Sequence, residues 1–178
     1  TGTGIGNLDI NQTGGTGTIE VFDIGDGGNV GVTGTVNIGN AATTSITLDG
    51  TTYKFDGNAE FDSTATGASI MITGGDTVFT TQSDHTLAFS TADVELSGTD
   101  GASPDVGLTT FTAPGGLTFA GDIIGKSGMS GTESLTIETA ANNLDITGSI
   151  GNAGKAKSTL TINSNGSGTV AYARIRTE

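Results

Sequence analysis

Leu135-Thr136-Ile137-Glu138-Thr139, Leu144-Asp145-Ile146-Thr147-Gly148 and Leu160-Thr161-Ile162-Asn163-Ser164 lie within thirty residues of one another. In each, an apolar side chain alternates with a short polar one. A period of two sends Leu and Ile to one side of an extended chain and Thr, Asp or Asn to the other. No stretch of the chain carries 3.6-residue periodicity long enough for an amphipathic helix. Thr, Val and Ile favour strands, whereas Gly and Thr are poor helix formers. The sequence predicts an all-β protein.

The unit recurs upstream as Ile46-Thr47-Leu48, Ile70-Met71-Ile72, Leu87-Ala88-Phe89 and Leu108-Thr109-Thr110-Phe111. Six of these strands follow, by 10–14 residues, a glycine that closes an apolar-x-Gly triplet. The triplets end at Gly34, Gly57, Gly74, Gly98, Gly121 and Gly148, with steps of 23, 17, 24, 23 and 27 residues. Such glycines supply the positive φ of tight corners. One unit has too little apolar surface to stand alone, but stacked units bury a continuous stripe, as in a solenoid. A turn of roughly 20–25 residues gives about seven or eight coils at a rise of ~4.8 Å. The small aromatic share, 5%, fits a narrow core of slim side chains. An antiparallel β-sandwich or jelly roll is the rival, because short strands separated by turns are equally its mark. The whole of 1–178 reads as one elongated repeat domain, with 1–29 and 166–178 as atypical terminal segments.

Gly, Thr, Ser and Asn fill 89 of 178 positions, yet the regularly placed apolar third is more than a disordered chain carries. There is no Cys, hence no disulfide or thiolate site, and no apolar run long enough to span a membrane. The net charge of −13 repels nucleic acid and anionic lipid. It is uneven: residues 1–125 hold fifteen acids against Lys54, while residues 126–178 hold four acids against five basic residues. Either both surfaces are simply solvated, or the rod is polar and its more basic end meets the acidic end of a neighbour. The opening at Thr1, without Met and inside a Gly/Thr pattern, reads as a processed or excised chain.

The runs from Leu135 to Asn152 and from Leu160 to Ser164, with Gly116-Leu117-Thr118-Phe119-Ala120-Gly121-Asp122-Ile123-Ile124-Gly125, resemble repeats of large bacterial surface proteins. These are the β-strand-repeat and filamentous-haemagglutinin-like adhesins. The resemblance covers residues 30–165 loosely. It implies a right-handed parallel β-helix, export to the cell surface, and a part in attachment or an extracellular matrix.

Residues with the means for chemistry are few. His85 is the sole histidine, so an ordinary zinc site is excluded, and a neighbouring Asp84 on a strand faces away from it. Asp56, Glu60 and Asp62, or Asp93 and Glu95, are the acid pairs a glycoside-cleaving β-helix would need. With no Trp and two Tyr the chain is poorly stocked for a sugar-stacking cleft, and we expect no enzyme. Asp23, Asp26 and Asn29, in an Asp/Gly loop, offer the hard oxygens that Ca²⁺ takes, with Asp100 and Asp105 in a comparable loop. Ordinary turn chemistry is the competing account, and calcium is the only candidate cofactor. Thr-x-Thr steps at 1–3, 16–18, 33–35, 64–66, 110–112 and 159–161 are too irregular for a lattice-matched hydroxyl face. The strand from Thr169 to Glu178 puts Val170, Tyr172, Arg174 and Arg176 on one face, and it either blunts an open edge or pairs with a neighbour.

The expected function is therefore a secreted structural or adhesive protein. It is either a solenoid segment of a surface adhesin or a fibre subunit assembling end to end. A calcium-stabilised surface-layer or matrix protein is the alternative, with a carbohydrate-active β-helix behind it. Expected partners are the chain itself, neighbouring repeats, or glycans, with neither nucleic acid nor membrane insertion.

Overall fold

A computed structural model describes residues 6–13, 17–25, 31–65, 67–82, 85–90, 92–96, 108–125, 134–139, 144–151, 159–164 and 170–175. Every strand pairing among them is parallel, and they include no helix. The sandwich and the jelly roll, both antiparallel, are excluded. The protein is a β-solenoid.

Its strands fall into three columns. The first holds β1 (Leu8–Ile10), β3 (Val36–Gly39), β6 (Ala59–Asp62), β9 (Thr86–Phe89) and β12 (Gly116–Phe119), followed by β15 (Leu144–Ile150) and β17 (Val170–Ile175). The second holds β2 (Gly17–Val21), β4 (Thr43–Leu48), β7 (Ser69–Ile72), β10 (Asp93–Leu96) and β13 (Ile123–Gly125). The third holds β5 (Thr52–Phe55), β8 (Thr77–Thr81), β11 (Leu108–Thr112), β14 (Ser134–Thr139) and β16 (Thr159–Ser164). β15 turns a corner: Leu144 and Ile146 pair with β12, and Ile150 pairs with Ile123 of β13, so the first two columns form one sheet.

Register sets the coil length. Leu8 pairs with Val36, Val36 with Ala59, Ala59 with Leu87, Leu87 with Leu117, Leu117 with Leu144 and Leu144 with Val170. These steps are 28, 23, 28, 30, 27 and 26 residues, all but one longer than the sequence spacing predicts. Four turns, β3–β5, β6–β8, β9–β11 and β12–β14, carry all three columns as separate strands, fewer than the seven or eight expected. The shorter period came from treating the apolar-x-Gly triplets as one position. They mark three different corners: Gly34 and Gly57 precede first-column strands, Gly74 follows a second-column strand, and Gly121 and Gly148 lie between the first column and the second. The step of 17 residues from Gly57 to Gly74 is thus a move within one coil. Gly98 lies outside the described residues.

Close approach, rather than positive φ, requires these glycines. Positive φ occurs at Gly25, Gly39, Gly67, Gly116 and Gly151 instead. A Cβ on Gly57 would run into the carbonyl of Gly34 one coil away, and one on Gly148 into that of Gly121. β1 pairs with β3 in unbroken register, and β2 pairs with β4 across one register shift between Gly17 and Thr18.

Alternation fills the core from all three columns, with Ile38, Phe61, Leu48, Ile72, Tyr53 and Phe111 fully buried. The core is aromatic rather than slim at its centre. Tyr53, Phe79 and Phe111 occupy successive third-column coils with ring centroids 4.6 and 4.9 Å apart. Phe61, Phe89 and Phe119 stack in the first column at 5.1 and 4.8 Å. The two stacks meet edge to face, with Phe79 5.9 Å from Phe89 and Phe111 5.2 Å from Phe119. A coil rise of ~4.8 Å is close to the stacking distance of aromatic rings, so equivalent positions on successive coils are placed to stack.

Candidate functional site

Short polar side chains at the corners reach up the rod by one coil. Asn7 and Asn58 each immediately precede a first-column strand, and each Oδ1 accepts the backbone N–H of the matching residue one coil on, Thr35 at 3.1 Å and Thr86 at 2.9 Å. At the second column, Asp93 Oδ1 accepts from Asp122 N at 3.0 Å, and Asp122 Oδ1 from Ser149 N at 2.6 Å. Asp49 takes the Thr73 hydroxyl at 2.7 Å. Asn7, Asn58, Asp93 and Asp122 thereby close backbone donors left open where a strand ladder stops at a corner. The partners lie 24 to 29 positions apart, so no local spacing revealed them.

Asp23 does the same work. Its Oδ1 accepts from Thr51 N at 2.6 Å and from Thr52 N at 2.8 Å, fixing the entry to β5. Asp26 and Asn29, its proposed companions around Ca²⁺, lie outside the described residues, as do Asp100 and Asp105. Among the described residues no three acids or histidines gather as a metal-binding group.

Glu60 and Asp62 sit two apart on β6, with Asp56 at the corner before it, and Asp93 and Glu95 sit two apart on β10. Asp93 is committed to its cap on Asp122. His85 joins a corner through its backbone: its N–H donates to the Gln82 carbonyl, and its own carbonyl accepts from Gly115 N and the Thr81 hydroxyl. Of the Thr-x-Thr steps, 110–112 and 159–161 fall wholly within strands.

The first column carries a groove of about 260 Å³, lined by Thr35, Asn37, Asn58, Glu60, Thr86 and Ala88 together with Val36 and Ala59. The register stacks Asn37, Glu60 and Ala88 on successive coils, and Thr35, Asn58 and Thr86 beside them. The short Ala88 leaves the hollow, and among the described residues lining it Glu60 is the one ionisable group. Matched against models of protein families, curated proteins and solved structures, the chain shows no match to any.

At the far end, β17 pairs with β15 along both columns that β15 joins. Val170 and Tyr172 stand opposite Leu144 and Ile146, then a register shift puts Arg174 opposite Ser149 and Ile175 opposite Ile150. The extra residue lies in β15, where Ile146 and Ser149 are three apart against two for Tyr172 and Arg174. Arg176 lies outside the described residues. Ile175 is 39% exposed, and Phe22, at the corner after β2, is 62% exposed.

Proposed function

We propose that this chain is a structural module of the cell exterior, a β-solenoid segment of a surface adhesin or a subunit of an extracellular fibre, whose ladders are continued end to end. One observation carries the reading. The columns run in parallel register from β1 and β2 to β16 and β17, and among the described strands those outermost members each have one partnered side only. An edge strand displays a row of backbone donors and acceptors that another strand can complete. The completing strand belongs to a neighbouring repeat of the same chain or to a second copy. The charge difference between residues 1–125 and 126–178 favours head-to-tail order. The winding is right-handed, the hand that parallel crossovers adopt. Secretion follows from the resemblance to surface-protein repeats and from the polar Thr/Asn/Asp exterior. The recognised partner beyond the chain itself is a glycan, and Ca²⁺ is the one cofactor for which the Asp23 loop offers ligands.

Negative-stain electron microscopy of the full chain, with and without chelator, tests this. Filaments one solenoid wide support end-to-end assembly, and a chain lacking residues 169–178 should then form far fewer. Single short rods at all concentrations would refute the fibre subunit and leave the adhesin segment. Filaments lost in chelator would assign the Asp23 loop to Ca²⁺.

A further inference from the structure

The groove on the first column has a use that the stacked core does not require. Its lining alternates hydrogen-bond capacities. Asn58 Oδ1 is occupied by Thr86, with N–H at 2.9 Å and hydroxyl at 3.2 Å, which leaves the Asn58 Nδ2 as donor. Asn37 Nδ2 donates to Asp9 Oδ1 at 2.8 Å, which leaves the Asn37 Oδ1 as acceptor. Glu60 adds a carboxylate with two acceptor oxygens, and the Thr35 hydroxyl acts in either sense. Ala88, beside Glu60 one coil on, adds a methyl group to the lining. A cation would use acceptors alone. A vicinal diol uses both kinds: two hydroxyls donate to one carboxylate, their oxygens accept from an amide, and the ring C–H surface rests on the methyl. The volume, about 260 Å³, is under the ~300–1,000 Å³ of drug-sized sites, and so suits one ring of a chain that continues outside it.

The geometry points to a carbohydrate subsite here, which holds one neutral pyranose through Glu60, Asn58 and Asn37. It deepens the adhesive reading above by giving it a contact point. The site is small and open, so binding per copy falls in the millimolar range, and copies joined end to end gain by avidity.

Titration of the isotopically labelled full chain with maltohexaose, cellohexaose, xylohexaose and mannohexaose, followed by backbone amide NMR, tests the subsite. At least one sugar should give saturable shifts centred on Thr35, Asn37, Asn58, Glu60, Thr86 and Ala88. The response should be unchanged between about 0.01 and 0.15 M salt, across which the screening length falls from ~30 to ~8 Å. Ala88→Leu, which fills the hollow from its outer side, should abolish the shifts with the circular dichroism unchanged. Glu60→Ala should weaken binding about tenfold, and Glu60→Gln, which keeps an acceptor, by less. Absence of saturable shifts with all four sugars overturns the subsite. So does a response confined to spermidine and lost at the higher salt, which would make the groove a cation site. Either result leaves the electron-microscopic test of assembly standing, and single rods that bind sugar would refute only the fibre.

Discussion

Phe79 sits where the two aromatic stacks meet, and its removal gives a sharp test of how the rod is held. The ring stacks on Tyr53 and Phe111 and meets Phe61 and Phe89 edge to face. It is fully buried. Phe→Ala at a buried site costs about 3–5 kcal/mol, and aromatic pairs add ~0.5–1.5 kcal/mol beyond their buried area. Phe79→Ala should therefore lie at the upper end, about 5 kcal/mol. Phe55 is equally buried but touches one ring, Phe61, at 6.2 Å, so Phe55→Ala should cost about 3 kcal/mol. A domain stability of ~5–15 kcal/mol makes it possible for Phe79→Ala not to fold. Phe79→Leu keeps most of the apolar volume and isolates the loss of the rings, at about 1–2 kcal/mol. Urea titration followed by far-ultraviolet circular dichroism measures all three. A double-mutant cycle of Phe79→Leu with Phe89→Leu should show coupling of at least ~0.5 kcal/mol. The reasoning fails if Phe79→Ala costs no more than Phe55→Ala, or if that coupling is absent.

Three further outcomes follow from single contacts. Gly57→Ala should destabilise by about 1–3 kcal/mol in urea titration, because its methyl would strike the Gly34 backbone, whereas Gly6→Ala, with open space around it, should be near neutral. Asp23→Ala should cost about 1–3 kcal/mol by removing the acceptor of Thr51 and Thr52, while Asp23→Asn, which keeps that oxygen, should cost under about 1 kcal/mol by the same assay. The Tyr53 hydroxyl is buried, donates to the Val21 carbonyl at 3.0 Å and accepts from Gly50 N at 2.9 Å, and burial raises its pKa above the ordinary tyrosine value. A phenol held protonated in the folded state contributes stability that is fully present below the unfolded pKa of about 10 and declines as pH rises beyond it. Tyr53→Phe should lose about 1–3 kcal/mol at neutral pH and flatten that alkaline decline, read as Tm against pH.

Much of the fold is legible in residues such as Ile70-Met71-Ile72, because period-two alternation leaves little choice but a half-buried strand, and β7 has that pattern. Coil length is harder to read. Corners that differ in geometry share one residue type, so Gly57 and Gly74 look like equivalents though they occupy different corners of one coil. The aromatic stacks are hidden for a related reason. Phe79 and Phe111 are 32 positions apart but Tyr53 and Phe79 only 26, since loops of unequal length intervene, and no fixed period links the three. Asp23 is legible as an Asp/Gly corner, but its bond to Thr51 depends on coil stacking, which the sequence alone does not register. The groove needs three coils in register before Asn37, Glu60 and Ala88 become neighbours. The missing signal was the outward residue of each first-column strand, read down the column rather than along the chain.

The register steps also fix how the rod yields to a pull. Hydrogen bonds between coils lie along the axis, so tension between the ends opens one rung and then the next instead of shearing a whole sheet at once. A released coil of 23 to 30 residues lengthens from a rise of ~4.8 Å to an extended span of roughly 80–100 Å. Each rung that parts therefore pays out nearly twenty times its own height. Under load the protein behaves as a spool of tether, with the aromatic stacks as the brake halfway along.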